Sequence, residues 1–421
     1  MIVLPPNKET EGPTTADLHS MREHNTVLVI RALWEAPDGL SRADLARQLG
    51  LSRSTISAIV HELIESELIV ESHRARSTGG RRAIVLQFND GHQNVLGVDL
   101  GSAHISVARL DLRGRVLDWI SEEHNVQDNP DSALVLLEQF IQATIDQASV
   151  PILGMGVGVP CPVDADSRHH LSPQILPAWR GIQLGSWLLD RFQVPVFLDN
   201  DANMGALAEA WWGAGQDVDH FAYIKIGTGV GAGYIINGRP YRGASGIAGE
   251  IGHTTVNTRG RSCRCGLRGC LEAEVGFQTV LQKARLAHNS SSELSFAQLL
   301  ALADAGDHNI GAVIEEAGVH LGMAIADLLN LFNPGRVILG GRLTTAGDRL
   351  LSPLRQTVRE RALSSSIDRA EIILSSLGEE HIAVGAATLV VQNALLNPSY
   401  FLSRHAKKTI APRTPPHIAL S

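Results

Sequence analysis

From Val95 onward the chain repeats one layout, in which a strand, a glycine-rich turn and a second strand follow one another. The first copy is "VLGVDLG" and "ISVARLDL", with "VLDWISEEH" as a third strand, and the second copy is "FAYIKIG" and "VGAGYIING". Alternating apolar residues bounded by Gly and Asp are typical of strands. Helical patterns lie between them, over residues 131–148, 203–213, 273–288 and 309–332. This internal repeat predicts an α/β body with two related lobes around a cleft.

Composition limits the class of protein. The chain of 421 residues is 44% hydrophobic and 19% charged, which is enough to bury a large core in two or three domains. The sequence has no run of about 18 apolar residues that could span a membrane and no secretory signal pattern, so we expect a cytoplasmic protein without a membrane partner. The net charge of -8 argues against a surface that binds nucleic acid everywhere, but it leaves room for a local basic patch.

The segment before the body has the pattern of a winged helix-turn-helix. Residues 1–20 are rich in Pro, Thr and acid and are predicted to be a flexible leader. Residues 21–90 then show three short helical patterns and two strands joined by a glycine- and arginine-rich tip, with Ser41 placed to cap the second helix. The alternative is a helical dimerisation or protein-docking module.

The third helix and the wing carry the residues expected to contact DNA. The helix opens with small polar residues that can approach base edges, and the wing has four arginines and no acid between His73 and Arg82. That arrangement indicates phosphate contact. The predicted DNA-binding residues are Ser52, Arg53, Ser54, Thr55 and Ser57 in the helix, and Arg74, Arg76, Arg81 and Arg82 in the wing.

Three of the four cysteines fall within the eight residues "CRCGLRGC", as Cys263, Cys265 and Cys270. In a reducing compartment such a cluster indicates metal ligands or redox groups before disulfides. A redox pair and three idle buried thiols remain the alternatives. Cys161 stands apart and is predicted to be a small buried residue rather than a ligand.

Several motifs of the body resemble those of one family in order and spacing. They are "DLGSAHISVARLDLRG" (99–114), "LDNDANMGALAEAWWGAG" (198–215), "IGTGVGAGYIINGRPYRGASGIAGEIGH" (226–253), "CRCGLRGCLE" (263–272) and "VILGG" (337–341). They resemble the ROK family of bacterial repressors and sugar kinases, which share an actin-like sugar-kinase fold. The resemblance implies a winged helix-turn-helix followed, over residues 91–397, by a two-lobed, ribonuclease H-like ATPase fold. Residues 398–421, basic and rich in proline, are predicted to be a disordered tail.

The resemblance also assigns candidate site residues. Asn-Asp pairs are usually turn residues, but here the family's helix follows the pair. The residues that match the family's sugar-binding residues are Asn200, Asp201, Glu250, His253 and Glu272, and Asp201 matches the base that takes a proton from the attacking hydroxyl. His253 also matches the family's fourth metal ligand, so His253, Cys263, Cys265 and Cys270 are predicted to form a structural zinc site of the Cys3His kind.

The nucleotide half departs from the kinases of the family. Their phosphate loop has the form DxGGT, whereas here Ser102 and Ala103 replace the second Gly and the Thr, and Cys161 replaces a common glycine near the sugar. "GGR" at 340–342 stands where GGG is commoner, although the turn "GTGVGAG" is intact. The residues that match a vestigial nucleotide site are Asp99, Gly101, Gly227, Thr228, Gly229, Gly340 and Gly341.

Two functions of different classes follow from these observations. The favoured one is a transcriptional regulator, expected to be a repressor of carbohydrate genes, that binds operator DNA and a sugar or sugar phosphate without turnover. The alternative is an active sugar kinase that also binds DNA, and only this one would need ATP and Mg²⁺. A zinc sensor is disfavoured because four protein ligands make a closed structural site. A homodimer is expected, with a tetramer as the alternative, since paired half-sites need paired helices.

Overall fold

The computed structural model describes residues 18–74, 84–163, 171, 175–288, 294–367 and 369–402. Within these ranges no helix is both long and apolar enough to cross a membrane. The predicted fold class is confirmed, since a small winged-helix module precedes a body of two five-stranded mixed sheets.

The winged-helix module is held by local capping and a small sheet. Ser41 and Asp44 form a capping box at the second helix, and Gly50 ends that helix with a left-handed φ of 66°. In the sheet, β3 lies between β1 and β2 and is antiparallel to both. The elements are α1 (Leu18–Glu35), β1 (Leu40–Ser41), α2 (Arg42–Leu49), α3 (Arg53–Glu65), β2 (Ile69–Arg74) and β3 (Ile84–Phe88).

The first lobe has the sheet order β6-β5-β4-β7-β8. Strands β4 to β6 form an antiparallel meander, and β7 and β8 add to β4 in parallel. Its elements are β4 (Asn94–Leu100), β5 (His104–Asp111), β6 (Val116–Glu123), α4 (Pro130–Asp146), β7 (Ile152–Val159), α5 (Leu184–Phe192), β8 (Val196–Asn200) and α6 (Asp201–Trp212).

The second lobe repeats this topology with the order β11-β10-β9-β12-β13. The internal repeat predicted from the sequence is therefore confirmed. The elements are β9 (Phe221–Ile226), β10 (Val230–Ile236), β11 (Arg239–Tyr241), α7 (Leu271–Val275), α8 (Phe277–Ala287), α9 (Phe296–Asp304), α10 (His308–Phe332), β12 (Arg336–Gly340), α11 (Asp348–Arg361), α12 (Ser364–Ile367), β13 (Glu371–Leu374), α13 (His381–Leu396) and α14 (Ser399–Leu402).

Some helices begin or end a few residues away from the sequence patterns. Helix α1 begins at Leu18, inside the predicted leader 1–20, and the helical pattern 273–288 is two helices interrupted at Gly276. Helix α14 lies inside the segment predicted to be a tail, 398–421, and packs against the winged-helix module. Phe401 is 3% exposed and lies 5.9 Å, ring centroid to ring centroid, from Phe88 of the winged-helix sheet.

The two central helices, α6 and α13, join the lobes through backbone contact. A Cβ atom at Gly97 would overlap the carbonyl of Ala383, one at Gly156 would overlap that of Ala386, and one at Gly385 would overlap that of Met204. Glycine therefore lets α13 lie directly on β4, β7 and α6. Helix α6 in turn packs on β9 and β10 of the second lobe.

A cluster of tryptophans attaches the winged-helix module to the body. The ring centroid of Trp34, in α1, lies 5.2 Å from that of Trp211 and 6.4 Å from that of Trp212, both at the end of α6. The Trp34 indole donates a hydrogen bond to the carbonyl of Leu112 (3.3 Å), and the Arg113 guanidinium lies 4.8 Å from the ring centroid. This buried contact fixes α1 against the last turn of α6.

Candidate functional site

A cleft of about 380 Å³ lies between the two lobes. The structure brings all five predicted sugar residues to it, namely Asn200, Asp201, Glu250, His253 and Glu272. Most of the predicted nucleotide residues line the same cleft, namely Asp99, Gly227, Thr228, Gly229, Gly340 and Gly341. The two predicted sets are therefore parts of one continuous site.

The turn from β8 to α6 positions Asn200 and Asp201. Asn200 is the N-cap of α6, and its side-chain oxygen accepts a hydrogen bond from the amide of Ala202 (3.0 Å). Its amide group donates to the carbonyls of Val159 (3.4 Å) and Cys161 (3.3 Å). The side chain of Asn200 thus shapes the floor of the cleft by fixing the start of α6.

Asp201 is paired with a cation that the sequence analysis missed. Lys225, in β9, donates to Asp201 Oδ2 over 2.5 Å, and both side chains are largely buried. Burial lowers the pKa of Lys225, but the carboxylates of Asp201 and Asp99 outweigh it and raise that pKa above its ordinary value. The only signal in the sequence is a single charge within the apolar strand "FAYIKIG". A carboxylate held in an ion pair is a poor general base.

The phosphate loop carries another residue that was not predicted. His104 Nε2 lies 2.8 Å from Asp99 Oδ2, and a Cβ at Gly101 would overlap the His104 ring. Burial raises the pKa of Asp99, yet the charges of His104 and Lys225 overcome this effect and bring the pKa to about 2. The imidazole therefore lies against Gly101 and lines the cleft at the predicted phosphate loop.

The opposite wall of the cleft carries two carboxylates in different settings. Glu272 accepts hydrogen bonds from the amide of Val230 (3.1 Å) and from Arg264 Nε (2.9 Å), so its charge is neutralised. Burial, together with the charges of Asp201 and Glu272, raises the pKa of Glu250 to about 7. Glu250 can therefore donate a hydrogen bond when protonated and accept one when ionised, which suits it to a hydroxyl.

The cysteine cluster forms beside this wall. Ligand atoms of His253, Cys263, Cys265 and Cys270 all lie within 4.8 Å of one another. Cys265 Sγ is 3.7 Å from Cys270 Sγ, and Cys263 Sγ is 3.6 Å from His253 Nδ1. A zinc tetrahedron with Zn–S bonds of about 2.3 Å has edges close to these lengths.

The chemistry of the donor set also fits a cation. Burial, together with hydrogen bonds that its S–H donates to Cys265 and Cys263, raises the pKa of Cys270 to about 12, because three clustered thiols cannot all ionise without a positive charge between them. His253 presents Nδ1 to the thiols, while its Nε2 lies 3.7 Å from Glu250 on the cleft side. One imidazole therefore connects the cluster to the cleft.

The start of α3 presents the predicted DNA-contacting face. Arg53, Ser54 and Ser57 are exposed. Ser52 also caps the helix, since its Oγ accepts from the amide of Thr55 (3.1 Å). In the wing, Arg74 ends β2, and Arg76, Arg81 and Arg82 lie outside the described residues.

A winged helix-turn-helix ahead of a two-lobed, kinase-like body defines a DNA-binding transcriptional regulator. The sequence pattern of the ROK family matches residues 95–393, and that of the MarR family matches residues 24–83. The chain belongs to the ROK family.

Named relatives and solved structures share this organisation. The xylose repressor of Bacillus subtilis is 32% identical over 383 residues, which cover 90% of this chain and 98% of that protein. The transcriptional dual regulator NagC of Escherichia coli is 33% identical, over 85% of this chain and 90% of that protein. A crystal structure of a ROK regulator, a homologue of the E. coli MLC protein, superposes with a TM-score of 0.75 at 28% identity, covering 91% of this chain and 98% of the other. A ROK glucokinase from Streptomyces griseus, in complex with glucose and AMPPNP, superposes with a TM-score of 0.62 at 28% identity and covers only 70% of this chain, against 98% of its own.

The pairing of Lys225 with Asp201 predicts a specific stability pattern. Lys225→Met leaves a buried carboxylate unpaired, so we expect the free energy of unfolding to fall by about 3 kcal/mol near neutral pH. The loss should shrink at low pH, because protonation removes the unpaired buried charge. Urea denaturation at several pH values measures both effects.

The double variant Lys225→Met/Asp201→Asn is the control, because it removes both charges and should recover most of the loss. Additive effects of the two single changes would show that the pair does not interact.

Proposed function

We propose that this protein is a repressor whose operator affinity changes when a neutral sugar binds between the lobes, and that it does not phosphorylate the sugar. Two contacts at the would-be catalytic residues carry the proposal. Lys225 forms an ion pair with Asp201, the would-be base, and His104 lies against Asp99 and Gly101 of the phosphate loop. An active kinase would need a free base and an open loop. The relatives named xylose repressor and N-acetylglucosamine repressor support the same class of function.

The charge balance of the cleft favours a neutral ligand. Its cations Lys225, Arg264 and Arg342 each pair with a carboxylate, respectively Asp201, Glu272 and Glu123. A sugar phosphate would have to compete with these carboxylates for every cation. Polar groups such as Glu250 and His253 discriminate well between sugars, because an analogue that lacks a hydroxyl leaves them unpaired.

We assign zinc to the cluster of His253, Cys263, Cys265 and Cys270 because the spacing and the donor set suit it. Bound zinc would hold Nδ1 of His253 and would thereby fix the ring so that Nε2 faces the cleft. The proposed role of the metal is to orient a sugar-binding side chain.

Helix α6 supplies the route from sugar to DNA. Its first turn carries Asp201 in the cleft, and its last turn carries Trp211 and Trp212 against Trp34 of α1. If a ligand moves one end of a rigid helix, the other end must move as well. A shift of Asp201 therefore changes how the winged-helix module packs against the end of α6. The start of α3 and the wing of the same module contact DNA. The protein acts as a cytoplasmic homodimer, which presents one α3 helix from each subunit to paired half-sites.

Sugar binding and turnover are tested together on the intact protein. A thermal-shift panel of pentoses, hexoses and N-acetylated sugars should contain a ligand that raises the melting temperature, because the ligand binds only the folded state. With that ligand and Mg-ATP, a phosphorylation assay should detect no product, and Asp201→Asn should weaken sugar binding at least tenfold. Phosphorylation by the parent protein that disappears in Asp201→Asn would establish the kinase instead.

The zinc assignment predicts a linked loss of metal and sugar response. Cys265→Ser should lower bound zinc from one ion per chain and weaken sugar binding, because His253 loses its anchor. Metal content by mass spectrometry and sugar affinity by calorimetry measure the two effects, with circular dichroism to confirm folding. Cys161→Ser is the matched control and should keep its zinc. A folded, zinc-free Cys265→Ser protein with parental sugar affinity would disprove the orienting role.

The route through α6 predicts that coupling can be lost while both binding functions remain. Trp212→Ala removes the contact with Trp34 and the hydrogen bond to Thr388 (2.8 Å). We expect the coupling free energy between sugar and operator to fall by about 1 kcal/mol, with sugar affinity retained. Fluorescence anisotropy of labelled operator, with and without sugar, measures it. Trp187→Ala, in α5, is the control, and an equal loss of coupling there would contradict the assigned route.

A further inference from the structure

The cleft extends beyond the residues that are predicted to bind one sugar ring. Beyond the phosphate loop it continues along one face of the edge strand β6, where Trp119, Ser121 and Glu123 line it. These residues lie opposite Ala108, Ser106 and His104 of β5. The loop before α13 adds Leu377 and Glu379 to the lining of the same cleft. This extension of the cleft, lined by Trp119, Ser121, Glu123, Leu377 and Glu379, is called the outer subsite below.

Trp119 is the unusual member of the outer subsite. Its side chain is 41% exposed although it lines a cleft, whereas Trp34, Trp179 and Trp211 are at most 3% exposed. An indole offers a broad apolar face with little loss of conformational freedom, and ligand sites commonly use such faces. A pyranose ring has an apolar C–H face and a rim of hydroxyls, so it can lie against the indole while its hydroxyls meet polar groups. Ser121, two residues further along β6, and Glu379 supply such groups in the lining of the cleft.

The charges around the outer subsite exclude a polyphosphate as its natural occupant. The imidazole of His104 is bound to Asp99, and Arg342 is paired with Glu123 over 2.5 Å. Glu379 adds a further carboxylate to the lining. Anionic ligands are therefore repelled, and a neutral, hydroxyl-bearing ligand with one apolar face matches both the charge and the shape of the surface.

We infer that the effector is a disaccharide or another glycoside, whose first ring is held by the residues around Asp201 and whose second ring stacks on Trp119. This inference rests on the proposed function, because it extends the same sugar site. The part of the cleft that binds the nucleotide in a kinase then binds the second ring and determines which sugar is recognised. Monosaccharides bind with the contacts of the first ring alone.

The test compares matched pairs of sugars on the full-length protein by titration calorimetry. The pairs are xylose with xylobiose, glucose with cellobiose and gentiobiose, and N-acetylglucosamine with its β-1,4-linked dimer. At least one disaccharide should bind about tenfold more tightly than its monosaccharide, a difference of about 1.4 kcal/mol. Trp119→Ala should abolish that advantage and leave the affinity for the monosaccharide unchanged, whereas Trp119→Phe should keep most of it.

Ile120→Ala is the matched control, because Ile120 is 37% exposed on the opposite face of the same strand. It should leave both affinities at the parental level. The inference is overturned if no disaccharide binds more tightly than its monosaccharide, or if Trp119→Ala weakens both members of a pair equally. Failure of every sugar, of either size, to bind the parental protein would instead overturn the proposed function.

Discussion

The direct backbone contact of α13 with the first sheet and with α6 is the constraint on which the rest of the structure depends. Glycines at positions 97, 156 and 385 leave no side chain between these elements, so α13 lies in the centre of the body although it comes late in the chain. Close packing makes such contacts intolerant of small shifts. This packing supports the proposal that movement at the cleft is transmitted along α6.

The chemistry of the cleft follows from charges that this packing brings together. Asp99, Asp201 and Lys225 come from three different strand ends, and each would be costly to bury alone. Lys225 pairs with Asp201 and His104 pairs with Asp99, which makes their burial possible. Under the proposed function, the same pairing removes the free base that phosphoryl transfer requires, so that a kinase-like fold serves recognition.

The sequence predicts the fold through features that act locally. Alternation of apolar residues predicts β4, β5, β9 and β10, the spacing of Ser41 and Gly50 predicts α2, and the cysteine spacing predicts the cluster of three thiols. Helix α13 could not be predicted in this way. Apolar residues lie on most of its faces, so its sequence lacks the periodicity of a surface helix.

The missed parts of the site depend on contacts between distant residues. Lys225 meets Asp201 across the two lobes, and Trp34 meets Trp212 between domains. His104 is close to Asp99 in sequence, yet its place in the loop depends on a turn conformation that residue types alone do not determine. Such pairings become visible only when the topology is known.

We propose that a ligand in the cleft changes, through α6, how the winged-helix module packs against the body. Hydrogen–deuterium exchange of the full-length protein, with and without a bound sugar, tests it most directly, because exchange reports local opening along each helix. We expect altered protection in the last turn of α6 and in α1 around Trp34, as well as at the cleft. Changes confined to the cleft residues, with α1 and the end of α6 unaltered, would contradict it.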